Sequence, residues 1–110
     1  MIYDLIIRSS AQRDIAEIAL RYDRKESGLG LLFLICLDAA LQGLRRNAEI
    51  YRIVRHEYRK TLVKRFPVGV FFIVRGTVAY IDVVMDLRRD PKAVDERLRH
   101  GSQDLDKTDS

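Results

Sequence analysis

The sequence predicts a single α+β domain with the element order β-α-α-β-β-β-α, in which an antiparallel sheet packs on a helical hairpin. Two observations support this class. Apolar residues recur at helical spacing in the first half, and three short apolar segments separated by turn residues follow in the second. The chain has 110 residues and is 47% hydrophobic, enough for one domain with its own core. We expect that domain over residues 1–100 and a flexible polar tail over 101–110.

The first half predicts one strand and two helices. Residues 2–8 are rich in β-branched and aromatic side chains and favour a strand. Ser9 and Gln12 have the spacing of a capping box, which predicts a helix from there to about residue 24 or 25. A second helix is predicted over 31–46, and its apolar first half indicates burial on several sides. The predicted core stripe of this helix is Leu34, Leu37, Leu41 and Leu44.

The second half predicts three strands and a final helix. The strands cover about 58–65, 68–75 and 78–85, with Pro67 and Gly76 in the turns, after a connector at 47–57 that is partly extended. The last two strands are apolar on both faces, so we expect cover on both sides of the sheet. In the last strand we expect 81, 83 and 85 to share one face. Asp90 and Pro91 suit the cap and first position of a helix with about two turns over 92–99.

Positive charge is the main functional signal. The net charge is +4 with a pI of about 9.5, which favours an anionic partner, although a modest basic bias of a soluble surface is an equally simple interpretation. Cations concentrate around the predicted sheet, where they suit phosphates, an acidic protein surface or a solvated strand edge. The cluster is Arg52, Arg55, Arg59, Lys60, Lys64, Arg65, Arg75, Arg88 and Arg89.

Other chemistry has weak support. The single cysteine, Cys36, lies in an apolar run and reads as a buried thiol of a cytoplasmic protein. Asp82 and Asp86 lie four apart, but without a third ligand we expect no metal and favour pairing with arginine: Arg65, Arg75, Arg88 or Arg89. His56 reads as a surface histidine.

Phosphate-loop and nucleophile motifs are missing, so no cofactor is expected. The apolar run at 29–37 is shorter than the roughly 20 residues of a membrane helix, and no membrane association is expected.

Two sequence stretches carry a family resemblance. The first is the opening strand leading into SSAQRDIAEIALRY, and the second is VKRFPVGVFFIVRG followed by VAYIDVVMDLRRDP. With these residues the chain resembles the RelE/ParE superfamily of type II toxins, in particular its ParE-like, plasmid-stabilisation branch. The resemblance covers about residues 2–99, and Phe66-Pro67 at its spacing from the RRDP at 88–91 is a moderately specific part of it.

The resemblance implies a toxin that a cognate antitoxin neutralises in a hetero-oligomeric complex. In this family the antitoxin wraps the helical hairpin and the sheet with a segment that is otherwise disordered. The apolar start of the second helix would be its docking site. The expected antitoxin-binding residues are Leu31, Leu32, Phe33 and Ile35.

The superfamily contains two activities, and the sequence favours one of them. ParE-like members inhibit DNA gyrase by binding. For that hypothesis the expected target-binding residues, together with the C-terminal helix, are Arg59, Lys60, Arg65, Arg88 and Arg89. The alternative is a RelE-type, ribosome-dependent mRNA endoribonuclease, with the ribosome and mRNA as partners.

The ribonuclease alternative would use a different set of residues, namely Arg65, Arg75, Asp86 and Arg88. Many related sequences have a histidine where this chain has Asp86, and an aspartate with a pKa near 3.9 is a poor general acid. No catalytic residue is therefore assigned. A third interpretation is a toxin-like domain whose activity has decayed.

Overall fold

The computed structural model describes residues 2–108, with side chains for 2–99. Eight main elements follow one another, and a short 3₁₀ turn at Ala48–Ile50 precedes the second strand. They are β1 (Asp4–Ile7), α1 (Ser9–Lys25), α2 (Leu29–Arg46), β2 (Ile53–Arg55), β3 (Tyr58–Val63), β4 (Val68–Arg75), β5 (Val78–Asp86) and α3 (Pro91–Thr108). The α+β class and the order of the seven predicted elements are confirmed. The short strand β2 is added within the predicted connector.

The strands form one five-stranded sheet in the order β1-β5-β4-β3-β2. Strands β2 to β5 are antiparallel to their neighbours, but β1 is parallel to β5. The predicted antiparallel sheet is therefore wrong at one edge, and the sheet is mixed. The reason is topological. The helical hairpin carries the chain from β1 to the opposite edge of the sheet, and the antiparallel strands β2 to β5 then lead back to β1, where β5 runs in the same direction as β1.

Helices cover the sheet on both faces, as its doubly apolar strands predicted. The α1–α2 hairpin packs on one face, where Phe33 and Leu44 meet Val70, Phe72 and Ile81. On the other face α3 packs over a smaller core. That core consists of Tyr58, Phe71, Ile73, Val83, Met85 and Leu98. The sheet is thus a buried central layer, and its strand ends and edges carry the residues available to partners.

The two hairpin helices begin differently from the prediction. Arg8 is the N-cap of α1, and no side-chain cap forms there, so the capping box of Ser9 and Gln12 is wrong. Gln12 instead donates from its amide to the carbonyl of Ile7 at 2.9 Å. In α2 the buried stripe is Gly30, Phe33, Leu37, Leu41 and Leu44. Leu34, predicted in the core, is 39% exposed, because the stripe passes through Phe33 one residue earlier.

A β-bulge in β5 changes which side chains share a face. Phe71 pairs with Val83 and Phe72 pairs with Ile81, so Asp82 is an extra residue on β5. The alternation of faces is reset at this point. Ile81 packs on the hairpin side, whereas Val83 and Met85 pack on the α3 side. The prediction that 81, 83 and 85 share one face is therefore wrong.

The last helix is longer than predicted. Instead of two turns over 92–99, α3 spans Pro91–Thr108. The flexible tail predicted for 101–110 stays a prediction, since its backbone is helical as far as Thr108, its side chains are outside the described set, and 109–110 lie outside the described residues. Within the described part of the chain, no helix is both long and apolar enough to cross a membrane.

Gly30 is expected to be essential for the contact between α1 and α2. A Cβ at this position would lie 2.4 Å from the carbonyl oxygen of Ala19 and 2.9 Å from Oδ1 of Asp23. Because backbone atoms cannot move aside cheaply, we expect Gly30→Ala to lower the free energy of unfolding by about 1–3 kcal/mol. Urea unfolding followed by circular dichroism measures the change.

Gly43 is the matched control in the same helix. Its Cβ would meet only the Tyr51 hydroxyl at 3.4 Å and the Arg46 guanidinium at 3.7 Å. Gly43→Ala should therefore raise stability by about 0.5–1 kcal/mol through helix propensity. Equal effects of the two substitutions would contradict the close packing at Gly30.

Candidate functional site

The predicted cationic cluster is divided between the two faces and the turns of the sheet. Lys60 and Arg89 line an open groove of ≈ 360 Å³ between β3 and α3, here called the α3 groove. Arg55 crosses its rim and donates to Asp95 of α3 at 2.9 Å. The groove also contains apolar side chains, among them Val54, Phe71, Leu87, Val94 and Leu98. Cations beside apolar side chains suit a protein surface that carries carboxylates.

The other predicted target-binding residues lie elsewhere. Arg59 donates from Nη1 to the backbone carbonyls of Glu49 at 3.0 Å and Tyr51 at 2.7 Å. It therefore fixes the connector at 47–57 to β3. Arg65 lies in the β3–β4 turn with a φ of 73°, and Arg88 lies beyond β5. Arg59 and Lys60 are separated because successive strand residues point to opposite faces, whereas Arg65 and Arg88 lie in the turns beyond the strands.

Asp86 and Arg88 form a tight ion pair at the end of β5. Arg88 donates from Nη2 to Oδ2 at 2.7 Å, from Nε to Oδ1 at 3.1 Å and from its backbone N–H to Oδ1 at 2.9 Å. The side-chain hydrogen bonds from Arg88 outweigh the burial of the carboxyl and lower the pKa of Asp86. The predicted pairing of Asp86 with an arginine is confirmed. An aspartate held ionised in this way has no proton to donate.

Asp82 has a structural environment that the sequence did not predict. It is buried at the bulge, where its Oδ2 accepts the Tyr58 hydroxyl. Its Oδ1 accepts Ser10 Oγ at 3.2 Å and lies 3.2 Å from Nε of Arg8. The expected partner, an arginine of the sheet or the loop after it, is wrong. Arg8 and Ser10 precede Asp82 by more than 70 residues, and no local pattern links them to it.

A second link between residues that are distant in the sequence connects the two faces of the sheet around the edge of β5. Asp14 on α1 accepts the backbone N–H of Val84 at 3.0 Å. The same carboxylate binds both terminal nitrogens of Arg97 on α3, at 3.1 and 2.9 Å. These hydrogen bonds raise the pKa of Arg97. Asp14 therefore closes the edge of β5 and attaches α3 to the body of the domain.

A larger groove runs between α2 and the outer edge of β3, and is here called the α2 groove. Its volume is ≈ 650 Å³. One wall is a stripe of α2 that contains Leu32, Ile35, Cys36, Ala39, Ala40 and Gly43. The other wall includes Thr61 and Leu62 of β3, which lie beyond the part of this edge that pairs with β2 and Arg52. Its lining also includes three cations, Arg46, Lys64 and Arg65.

The predicted antitoxin-binding residues are not equivalent in this geometry. Leu32 and Ile35 line the α2 groove, and Leu31 is 64% exposed outside its lining. Phe33 is fully buried, with its ring 5.5 Å from Phe66. Phe33 therefore lies on the buried stripe of α2 and belongs to the core. The prediction that Phe33 is an antitoxin-binding residue is corrected for this reason. Cys36, predicted to be buried, is half-buried in the groove wall.

Metal and histidine chemistry have no assembled site in the part of the chain that the structure describes. No group of three histidine, cysteine or carboxylate side chains is placed to hold an ion there. His56 is exposed in the β2–β3 turn with a φ of 52°. Arg75, expected near the phosphate site of a nuclease, pairs with Glu57 at 2.8 Å. It lies at the opposite end of β4 from Val68, which faces Asp86.

Comparison with known proteins identifies a shared fold. No protein-family model and no curated protein matches the sequence. A chain of a solved structure, the chromosomal ParDE TA system from P. aeruginosa, superimposes with a TM-score of 0.69 at 18% sequence identity. The match covers 78% of this chain and 97% of that chain. The two chains therefore have the same fold, which confirms the fold expected from the resemblance.

The Asp86–Arg88 pair predicts a specific pH dependence of stability. A lowered pKa in the folded state means that Asp86 stabilises the fold above its ordinary pKa of 3.8 and loses that contribution as the pH falls through the lowered value. Asp86→Asn should lower the thermal midpoint at pH 7, and the gap to the wild type should narrow below about pH 4. Thermal unfolding between pH 7 and pH 2.5 measures it.

Asp38→Asn is the control for this series, because Asp38 is exposed on α2 and makes no salt bridge among the described residues. Its midpoint should follow the wild type across the whole pH range. A gap between wild type and Asp86→Asn that stays constant down to pH 2.5 would contradict the ionised pair.

Proposed function

We propose that this chain is the toxin of a type II toxin–antitoxin system, that an antitoxin neutralises it by docking in the α2 groove, and that it inhibits DNA gyrase by binding. The observation that carries the proposal is an open apolar groove beside an unpaired strand edge, on a fold shared with a chain of a ParDE system. We expect the complex in the cytoplasm, with a role such as plasmid stabilisation.

The α2 groove has the chemistry to bind an extended or helical peptide segment. Leu32 and Ile35 offer apolar contact, and the outer edge of β3 offers backbone hydrogen-bonding groups. The cations Arg46, Lys64 and Arg65 favour acidic residues on the segment. A disordered acidic, amphipathic segment that orders here loses chain entropy, and apolar contact with the groove opposes that loss.

The α3 groove is the surface we propose for gyrase. Lys60 and Arg89 lie beside apolar side chains of the sheet and α3, the combination found at protein interfaces. Of the sequence-predicted target residues, these two line the groove together. Arg59, Arg65 and Arg88 are assigned no direct gyrase contact, because each lies outside this groove.

The ribonuclease alternative is less well supported by the geometry. Asp86, at the position where relatives have histidine, is held as a carboxylate by Arg88. Tyr58 is fully buried beneath α3 and donates to Asp82. General acid catalysis requires a group that can donate a proton within reach of the leaving oxygen. Binding of a protein target requires no such group.

Disruption of the α2 groove should separate neutralisation from toxicity. Ile35→Glu places a negative charge in the groove wall, so we expect affinity for the antitoxin to fall at least tenfold, while growth inhibition persists. A small acidic or DNA-binding protein encoded beside this gene, if the locus contains one, is the antitoxin to test, and isothermal titration calorimetry measures its affinity.

Asp38→Asn is the matched control, since it changes an exposed α2 residue that is not part of the groove lining. It should bind the antitoxin with unchanged affinity. Equal binding by wild type and Ile35→Glu would show that the antitoxin docks elsewhere, and no binding by either would remove the support for an antitoxin.

Supercoiling of relaxed plasmid by purified gyrase tests the target. The chain should inhibit the reaction, and the antitoxin should reverse the inhibition. Lys60→Ala with Arg89→Ala should raise the inhibitory concentration by about tenfold, because two charges at the proposed interface are lost. Arg52→Ala, on the connector outside the α3 groove, should have little effect.

Lack of inhibition by the folded wild-type chain would refute gyrase as the target. Cleavage of mRNA in a translating extract would then support the ribosome-dependent alternative. Equal potency of the double variant and the wild type would refute the α3 groove while leaving gyrase as the target.

A further inference from the structure

Cations from three segments meet at one end of the sheet, and three of them also line the α2 or α3 groove, namely Lys64, Arg65 and Arg89. The C-terminal half of α1 contributes Arg21 and Lys25, the β3–β4 turn contributes Lys64 and Arg65, and the loop after β5 contributes Arg88 and Arg89. The segments are in contact. The ring of Phe66 lies 4.8 Å from that of Tyr22, and the N–H of Leu87 donates to the carbonyl of Pro67 at 2.7 Å. We call these six cations the basic end.

The charges of the basic end are mostly uncompensated. Among the described residues, Arg21, Lys64, Arg65 and Arg89 make no salt bridge. Of the nearby carboxylates, Asp86 binds Arg88, Asp23 accepts the N–H of Gly30, and Asp90 accepts the N–H of Lys92. Asp14 binds Arg97, and Glu17 lines a pocket with Arg21 and Arg89 without a salt bridge to either among the described residues. Asp90 directly precedes α3, and the carboxylate of Asp23, from the last turns of α1, accepts from the N-terminus of α2, so the dipoles of α2 and α3 offset part of their charge.

The ion pair with Asp86 orients the guanidinium of Arg88 and leaves the side chain accessible to a further anion. Asp86 accepts from Nε and Nη2 of Arg88 and fixes the guanidinium, while the side chain remains 59% exposed. Arg21, Lys25 and Arg88 line a cavity of ≈ 10 Å³, enough for one oxygen atom, together with Asp86, whose carboxylate is bound to Arg88. Tyr22 also lines this cavity, and its buried hydroxyl has no hydrogen-bond partner among the described residues.

We propose that the basic end is a docking surface for the phosphate backbone of duplex DNA. Arginine forms paired hydrogen bonds with phosphate, and four of the six cations are arginines. The apolar residues that line the Arg21–Arg88 cavity, Ile18 and Tyr22, are not exposed, which disfavours a protein interface with an apolar centre.

A duplex fits this surface better than a single strand. Binding of single-stranded nucleic acid depends on exposed aromatic rings on which bases can stack. At the basic end, Tyr22 and Phe66 pack on each other and on Phe33 instead. The expected contacts are therefore to phosphates, without recognition of base sequence. This inference does not depend on the proposed function, and a free duplex tests it without gyrase or antitoxin.

Fluorescence anisotropy of a labelled 20-base-pair duplex of arbitrary sequence, titrated with the full chain, tests the proposal. If about four phosphates are contacted, a rise from 50 to 200 mM salt should weaken binding by roughly 100-fold. Arg21→Gln with Lys25→Gln should weaken binding at least tenfold and reduce the salt slope by about 2. These exposed α1 residues make no salt bridge, so the variant should keep its fold.

The matched control removes the same charge elsewhere. Arg13→Gln with Arg52→Gln changes two exposed arginines outside the basic end and should alter binding less than twofold. Equal losses in the two double variants would overturn the assignment, since they would reflect net charge alone. Binding too weak to measure at 50 mM salt would also overturn it. So would displacement of the duplex by polyglutamate at an equal concentration of charge, because the surface would then bind acidic protein as well.

Discussion

The structure depends on which groups form hydrogen bonds with the backbone of β5 beyond the point where β1 ends. β1 pairs with β5 only as far as Ile81, so the next backbone groups of β5 have no strand on the side away from β4. Side chains of α1 replace the strand. The Ser10 hydroxyl donates to the carbonyl of Asp82 at 2.8 Å, and the Asp14 carboxylate accepts the N–H of Val84. Buried backbone groups require such partners, which fixes α1 against the sheet.

The bulge at Asp82 connects that edge to both cores. The extra residue directs its carboxylate to Tyr58 and Arg8 and leaves Ile81 and Val83 on opposite faces. Asp14 then continues the network to Arg97 and attaches α3. The chain's two layers of helix are therefore joined through a few carboxylates at one edge, rather than through the sheet alone. Such networks are strong only while every member keeps its partner.

Periodicity predicted the elements, but not the long-range contacts that build the site. The helices α1 and α2 and the strands β3 to β5 were predicted because their apolar spacing is local. The short strand β2 has three exposed residues and gave no such signal. Nothing in the sequence marks the bulge. The assumption that side chains alternate strictly between the two faces therefore placed 81, 83 and 85 on the same face. Likewise the pairing of Asp86 with Arg88 is local and was predicted, whereas that of Asp82 with Arg8 spans the chain.

The uncovered part of β3 has a consequence for the isolated chain. The N–H of Lys60 donates to the carbonyl of Arg52 at 3.4 Å, but beyond Lys60 no strand of the described residues pairs with the outer side of β3, and Leu62 is 57% exposed there. An exposed strand edge with an apolar side chain is a template for pairing between copies, and flanking lysines such as Lys60 and Lys64 oppose that pairing by charge repulsion. Solubility of the unbound protein is therefore set by a balance at this edge, and concentrated, high-salt solutions shift that balance towards aggregation.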